Sequence, residues 1–553
     1  MPAAPTTSHP PRSPLAGLIP AVLAVLGMAL FWQTVLESDV LAHSLISGQR
    51  WGSVIGILGG KVAQTPDGPQ VSMPLGPLVV IAMVCGAALL LTGRWLGRRT
   101  DDWLAHVLSR ISLAWAPAGV WWCLWMATLL FGPAGIASLL MQLADLVVAS
   151  VLALSAWSVW PPVAAGTPGP GAVDIATISP NRTARWTLAA GMLLYVVVFT
   201  AMNWGLWFNL RLPHGDSAMY EEHLWNLEHG KGFRSYLDQG LFLGEHLQVV
   251  HVLLVPLHLV FPSHLTLELA QSVILALGAW PLFNLARRHS GSEWAAALLG
   301  LAYLAYFPLQ YLDIAIDLKT FRPNSFGIPA MLAALDLLER RRYGWASFWL
   351  AVTLSSQEDW AIPIALVGAY FAVNSFVTAA PLDPSPRTQP DRSPSSTGEK
   401  VAEGRMRGEN RRELLLGAAL FLFSIIYLWF ALNIAIPWFR SGAVVHTASY
   451  FSKFGNSPRE IITTLVTRPF FVVSTIATVS GLVYALKLLL PIGFLPLRSP
   501  ARLLVAAPLF LLILMNDLAM SYPAPVHHFH ATLIPILFWA AAAGLARSKT
   551  RLP

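Results

Sequence analysis

Charge is what this sequence has least of. Asp, Glu, Lys and Arg make up only 12% of its 553 residues, about half the share of a soluble domain, whereas 55% are hydrophobic. So apolar a chain cannot cover itself with a polar surface in water, and its apolar surplus must face lipid. Cysteine is nearly absent: Cys85 and Cys123 both lie inside apolar runs, which excludes a disulfide framework and a thiolate metal site. A continuous basic face is missing too. The net charge of +7 comes from short arginine clusters between apolar stretches, a pattern of membrane topology signals that leaves no nucleic-acid surface.

What the sequence does have is apolar length. Runs of roughly 17–25 residues recur, each able to cross a hydrocarbon core of about 30 Å as a helix. They fall at about 15–35, 76–93, 112–132, 136–158, 185–206, 265–286, 292–310, 324–339, 344–357, 361–377, 413–437, 469–491, 502–517 and 528–546. The expectation is an all-α polytopic membrane protein with about 14 transmembrane helices. The first run ends in aromatics without a small-x-small cleavage pattern, so it reads as a retained anchor. Arginine-rich joints at RWLGRRTDD, NRTAR, LARRH, ERRRY, 378–412 and ARSKTR are all cytoplasmic in one consistent topology, which places both termini in the cytoplasm of a cell inner or plasma membrane.

Two polar interruptions divide the chain. GTPGPGAVDIATISPN, at 166–181, separates a four-helix module at 1–165 from a membrane core that starts at 185, with 166–184 as a cytoplasmic linker. The Pro-, Ser-, Arg- and Glu-rich segment 378–412 reads as a disordered cytoplasmic linker that splits the core into 185–377 and 413–553. The largest outer loop spans 207–264. Its last part, HLQVVHVLLVPLHLVFP, is interrupted by His251, Pro256 and His258 and reads as a helix lying at the interface.

The few ionisable groups are clustered. HGDSAMYEEHLWN, at 214–226, places Asp216, Tyr220 and His223 on one helical face with Glu221 and Trp225 alongside. A helix-capping role for Asp216 and a dipole role for Glu221 and Glu222 also fit that pattern. LGEHLQVVH brings Glu245 and His246, which with Asp216 form a candidate divalent-metal set, although no compact metal spacing is present. YLDIAIDLKTFRPNSF offers Lys319 and Arg322 for a lipid phosphate, or simply a snorkelling polar turn. SSQEDW sets Glu358 and Asp359 at or near membrane depth, where an uncompensated carboxylate costs on the order of 2.5–3.5 kcal/mol, so partners or a wet cavity are expected. SYPAPVHHFH adds His528 beside His527 and His530. All five clusters fall on the same side of the expected topology, as the rim and floor of one outward-facing polar cavity would.

DSAMYEEHLWN, LFLGEH, PSHLTLELAQSVILALGAWPLFNLARR, DLKTFRPNSF, the QED of SSQEDW and HFHATLIP, in this order over 185–546, resemble a family of bacterial and archaeal predicted membrane proteins known as a domain of unknown function. That family looks distantly similar to the GT-C class of integral-membrane glycosyltransferases. The chain departs from the family pattern at Glu221 and Glu222, where Asp and Gln are usual, and at Arg322, where His is common. The resemblance implies a GT-C-like core with a large first extracytoplasmic loop. It further implies transfer of a sugar from a polyprenyl-phosphate carrier to an extracytoplasmic acceptor. Asp216 is then the general base, with Lys319, Arg322 and His246 at the leaving phosphate and Glu221, Glu222, Glu358, Asp359 and His528 as further substrate-binding residues. A transporter or lipid-carrier flippase using Glu358 and Asp359, and a non-catalytic assembly protein, are the alternatives. Membrane lipid and the carrier-linked sugar are the expected partners, and nucleic acid is not.

Overall fold

The computed structural model describes residues 14–45, 48–65, 68–96, 103–132, 134–159, 181–211, 216–232, 242–314, 321–379, 396–440, 446–522 and 524–546. The protein is an all-α polytopic membrane protein that divides into two compact units, 1–171 and 172–553.

The first unit is built on the spans Leu18–Glu37, Leu75–Arg94, Val107–Phe131 and Gly135–Ser155. Its interior is aromatic: Phe31 meets Trp121 edge-on at 5.0 Å, and Trp121 stacks on Trp125 at 5.4 Å. Lipid tails are as apolar as leucine, so apolar burial alone does little to hold helices together here; close packing and hydrogen bonds do more. Trp115 Nε1 accordingly donates to Ser155 Oγ (3.0 Å) and Trp121 Nε1 to the Leu140 carbonyl (2.8 Å). The sequence reading missed an antiparallel hairpin, Lys61–Thr65 with Gly68–Ser72, whose signal was the Asp-Gly pair in KVAQTPDGPQVS.

The second unit surrounds a short helix, Leu533–Gly544, in which every residue is buried. The helices Ala279–Ser290, Gly327–Glu339 and Pro500–Met515 pack around it. Its apolar composition reflects burial inside protein and not contact with lipid. At 12 residues it extends about 18 Å, too little to cross the hydrocarbon core.

Span number differs from the expectation. Among the described residues eight helices are long and apolar enough to cross a membrane, or ten when two bent pairs are each taken as one span. The runs at 324–339 and 344–357 form helices of only 13 and 12 residues, Gly327–Glu339 and Tyr343–Leu354. The run at 292–310 is Glu293–Leu304 followed by Phe307–Asp313 with a 50° bend, and 469–491 is bent by 64° between Pro469–Ile476 and Val479–Ile492. Hydropathy registers apolar residues but not the breaks between them. Of the expected linkers, 166–180 lies outside the described residues. The helix Ser396–Phe430 begins inside the segment expected to be disordered and leads into the span Arg411–Phe439.

Arginines of two of the joints form an ionic cluster at one end of the span His264–Ser290. Arg288 pairs with Asp336 and with Glu339 (3.2 Å), Arg340 with Asp336 (3.1 Å), and His289 and Arg502 with Glu339 (3.0 and 3.2 Å). The other end of that span, about 40 Å away along 27 residues, carries a different polar group.

A candidate site where buried carboxylates, histidines and amides meet

Four of the clusters singled out in the sequence come together at that other end. The helix Asp216–Glu228 packs against the short helices Val250–Leu254 and Val255–Val260 and against His264–Leu277; the turn Pro323–Phe326 packs against His264–Leu277 and Val250–Leu254. Backbone bonds tie the 246–250 strand of chain to the SSQEDW turn: the amides of Val249 and Val250 both donate to the Ser355 carbonyl, at 2.8 and 2.9 Å.

Glu358 lies at the centre of this junction. It is only 5% exposed; one carboxylate oxygen meets His246 Nδ1 (2.8 Å) and the other accepts the Leu247 amide (2.9 Å). Burial lowers the His246 pKa, but the carboxylates of Glu358, Asp359 and Glu245 outweigh it and hold the group above its ordinary value. The compensating partner expected for this buried carboxylate is a histidine 112 residues away. Beside this pair, an amide chain crosses the junction: Tyr220 Oη donates to Gln248 Oε1 (2.7 Å), and Gln248 Nε2 donates to Gln357 Oε1 (2.8 Å).

The interface segment turns its histidines inward. His251 and His258 are buried, whereas Leu253, Leu259 and Val260 are exposed. These two histidines face the protein interior. His258 Nδ1 meets Glu228 Oε1 at 2.6 Å. His251 faces Tyr220 (5.4 Å between rings) and His223 (5.5 Å), and burial together with His223 pushes its pKa down to about 3, so it stays neutral.

A third pair was not anticipated. His264 Nε2 meets Glu268 Oε1 (2.7 Å) with both side chains at most 1% exposed, while Glu221 Oε2 reaches within 3.9 Å of His264 Nδ1. The i, i+4 spacing and a carboxylate inside an apolar run were the available signals, hidden by counting 265–286 as an ordinary span. One turn further, Gln271 Oε1 accepts the Arg322 amide (2.6 Å), and Ser272 Oγ donates to Asp313 Oδ1 (2.9 Å).

Two segments meet at Trp360, whose Nε1 donates to Asn324 Oδ1 (2.6 Å). Gly327 makes this seat possible, since a Cβ there would fall 2.1 Å from the indole. Around it, Asn324 Nδ2, Ser325 Oγ and Asp359 Oδ1 are buried and have no hydrogen-bond partner among the described residues.

The remaining expected residues divide as follows. Asp216 is the first residue of its helix, and its side chain lies outside the described residues, as does all of Lys319. Glu222 is half-buried on the same helix, and the Arg322 side chain is buried. Glu245 is exposed while its neighbour His246 turns to Glu358. Among the described residues, no group of three or more His, Cys, Asp and Glu is arranged to hold a metal ion. His528 sits in a different turn, His528–His530, against Phe529 (4.4 Å between rings), and Phe529 in turn meets Tyr450.

Residues 208–552, which include every element of this junction, match the family described as Predicted membrane protein (DUF2079). The chain belongs to this family. No curated protein and no solved structure matches it. The family match begins at the C-terminal end of the span Arg182–Phe208 and leaves the four spans of the first unit outside it.

Proposed function

We propose that the junction of the second unit binds a sugar carried on a polyprenyl phosphate and transfers it to an acceptor on the extracytoplasmic side of the plasma membrane, in the manner of a GT-C-like glycosyltransferase. The observation that supports this reading is the set of buried polar atoms at Asn324, Ser325 and Asp359 that have no partner among the described residues, in two of the segments that the sequence marks out. A native protein leaves such groups unpaired at a cost of about 1–3 kcal/mol each. Hydroxyls of a bound sugar are the kind of partner that removes that cost. The positive-inside reading of the LARRH and ERRRY joints supports an extracytoplasmic position for the junction.

Asp216 then acts as general base. The acceptor oxygen attacks the anomeric carbon, its proton passes to the Asp216 carboxylate, and the carbon–oxygen bond to the lipid phosphate breaks with its electron pair on the phosphate. Arg322, Lys319 and protonated His246 offset the charge that develops there. Glu358 acts through His246, keeping it protonated and oriented. Glu221, Glu222 and Asp359 hold hydroxyls, and His528 belongs to the acceptor side. Membranes containing the protein should consume a polyprenyl-phosphate sugar, and Asp216→Asn should lower that turnover by about 10²–10⁴-fold. Full activity in that variant would remove Asp216 from the chemistry.

Two bent spans favour a second reading. Transport proteins commonly place broken helices around a site at membrane depth, and Glu358 and Asp359 begin the span Glu358–Phe376. Under that reading Glu358→Gln stops ion-coupled substrate movement while Asp216→Asn is silent.

A further inference from the structure

The helix Pro458–Thr467 and the chain before it carry a polar cavity of about 620 Å³ that the junction does not use. Lys453, Arg459 and Arg468 line it together with Ser457, Thr463 and Thr467. Lys453 is held by Asp517 at 2.6 Å. Arg459 and Arg468 have no acidic partner among the described residues, and the one carboxylate in the lining, Glu460, accepts the Asn456 amide at 2.9 Å. Gly455 lets the preceding chain close against the helix, since a Cβ there would lie 2.6 Å from Glu460 Cβ.

The cavity adjoins a bent pair of helices apolar enough to cross a membrane. Arg468 immediately precedes Pro469, where a bent span begins. Ile462 and Val466, one turn apart, are 62% and 74% exposed, and Phe470 is 90% exposed. On the neighbouring row, about 100° round the helix, Ile461 and Leu465 pack on the cluster of Phe454, Val472 and Met515. The helix thus has one continuous apolar arc, part packed on protein and part exposed, with Arg459, Thr463 and Thr467 on the remaining face, the amphipathic pattern of an interfacial helix.

We propose that this cavity binds the phosphate of an anionic membrane lipid, with the Arg459 and Arg468 guanidinium groups as charge partners, the Ser457 hydroxyl, whose oxygen accepts the Glu460 amide, as a further donor, and the acyl chains lying along Ile462, Val466 and Phe470. Charge complementarity selects the phosphate, and the adjoining exposed apolar row selects a lipid over a soluble phosphate. Guanidinium groups suit the phosphate because they present several fixed donors.

The test uses the full chain in nanodiscs of phosphatidylcholine with increasing phosphatidylglycerol, with lipid bound to the released protein counted by native mass spectrometry. Arg459→Gln/Arg468→Gln should weaken retention of phosphatidylglycerol by roughly thirtyfold, leaving phosphatidylcholine retention unchanged. The double variant Arg182→Gln/Arg211→Gln, with the same charge change at exposed positions elsewhere, should retain the anionic lipid as the unaltered protein does. Equal losses in the two double variants, or none in the first, would overturn the site. Displacement of the lipid by inorganic phosphate at equal concentration would overturn the lipid as its ligand. Unchanged thermal unfolding of each variant establishes that the comparison is between folded proteins.

Discussion

The two units bury different chemistry. Among the described residues the buried polar side chains of the first unit are Ser112, Thr128, Ser155 and Ser158. Ser112, Thr128 and Ser158 each donate to a carbonyl three or four residues back in their own helix, and Ser155 Oγ accepts the Trp115 indole of a neighbouring helix. The second unit buries Glu268, Glu293, Asp313, Arg322, Asp336, Glu358 and several histidines. A serine bonded to its own helix is cheap in a membrane, whereas a carboxylate is not. Cost on that scale, concentrated in one unit, points to a function there, and the family match covers the same unit and not the first.

The largest effect that would test this contrast is at Glu358. Glu358→Ala leaves His246 and the Leu247 amide without their acceptor and should destabilise the second unit by about 3–5 kcal/mol, the cost of breaking a buried pair from one side. Ser155→Ala in the first unit should cost only about 1 kcal/mol. Denaturation of both variants in the same detergent measures the difference, and equal losses would erase the distinction between the units. Next comes Gly327→Ala, whose methyl group overlaps the Trp360 indole and should cost about 1–3 kcal/mol by overpacking, with altered fluorescence of that tryptophan.

A weaker change is Tyr220→Phe, which removes one donor to Gln248 and should cost about 1 kcal/mol. Retention of full stability would show that the amide chain contributes geometry and not energy. The smallest effect expected is on pH dependence. Because His246 is held above its ordinary value, its folded state binds the proton more tightly than the unfolded chain does. Its contribution to stability is thus full below about pH 6.5 and is lost as pH rises through the folded value. An unfolding series from pH 6 to 9 should show that alkaline decline, and His246→Gln should remove it.

The parts of this account that were legible in the sequence were local. An apolar chain with scarce charge is a membrane protein by composition, and DSAMYEEHLWN announces a helix beginning at Asp216 by its own residues. Glu358 stood out because a carboxylate beside an apolar run needs a partner. That the partner is His246 was not legible, since no periodicity connects residues 112 apart. Glu268 was hidden inside an apolar count, and so were the bends near Leu304 and Ile476. His528 looked equivalent to the other histidines, yet its turn packs on Phe529 away from the Glu358 contacts.

The most direct measurement compares glycosyl transfer from a polyprenyl-phosphate sugar in membranes carrying Glu358→Gln or Glu37→Gln. Glu37 is an exposed carboxylate of the first unit that accepts the Met73 amide at 2.8 Å and serves as the control. If the second unit performs the reaction through a His246 kept charged by Glu358, the first variant should lose transfer by about a hundredfold or more, as expected when electrostatic support of the leaving group is withdrawn, while the second retains it. Equal loss in both variants, or full transfer with Glu358→Gln, would contradict the account.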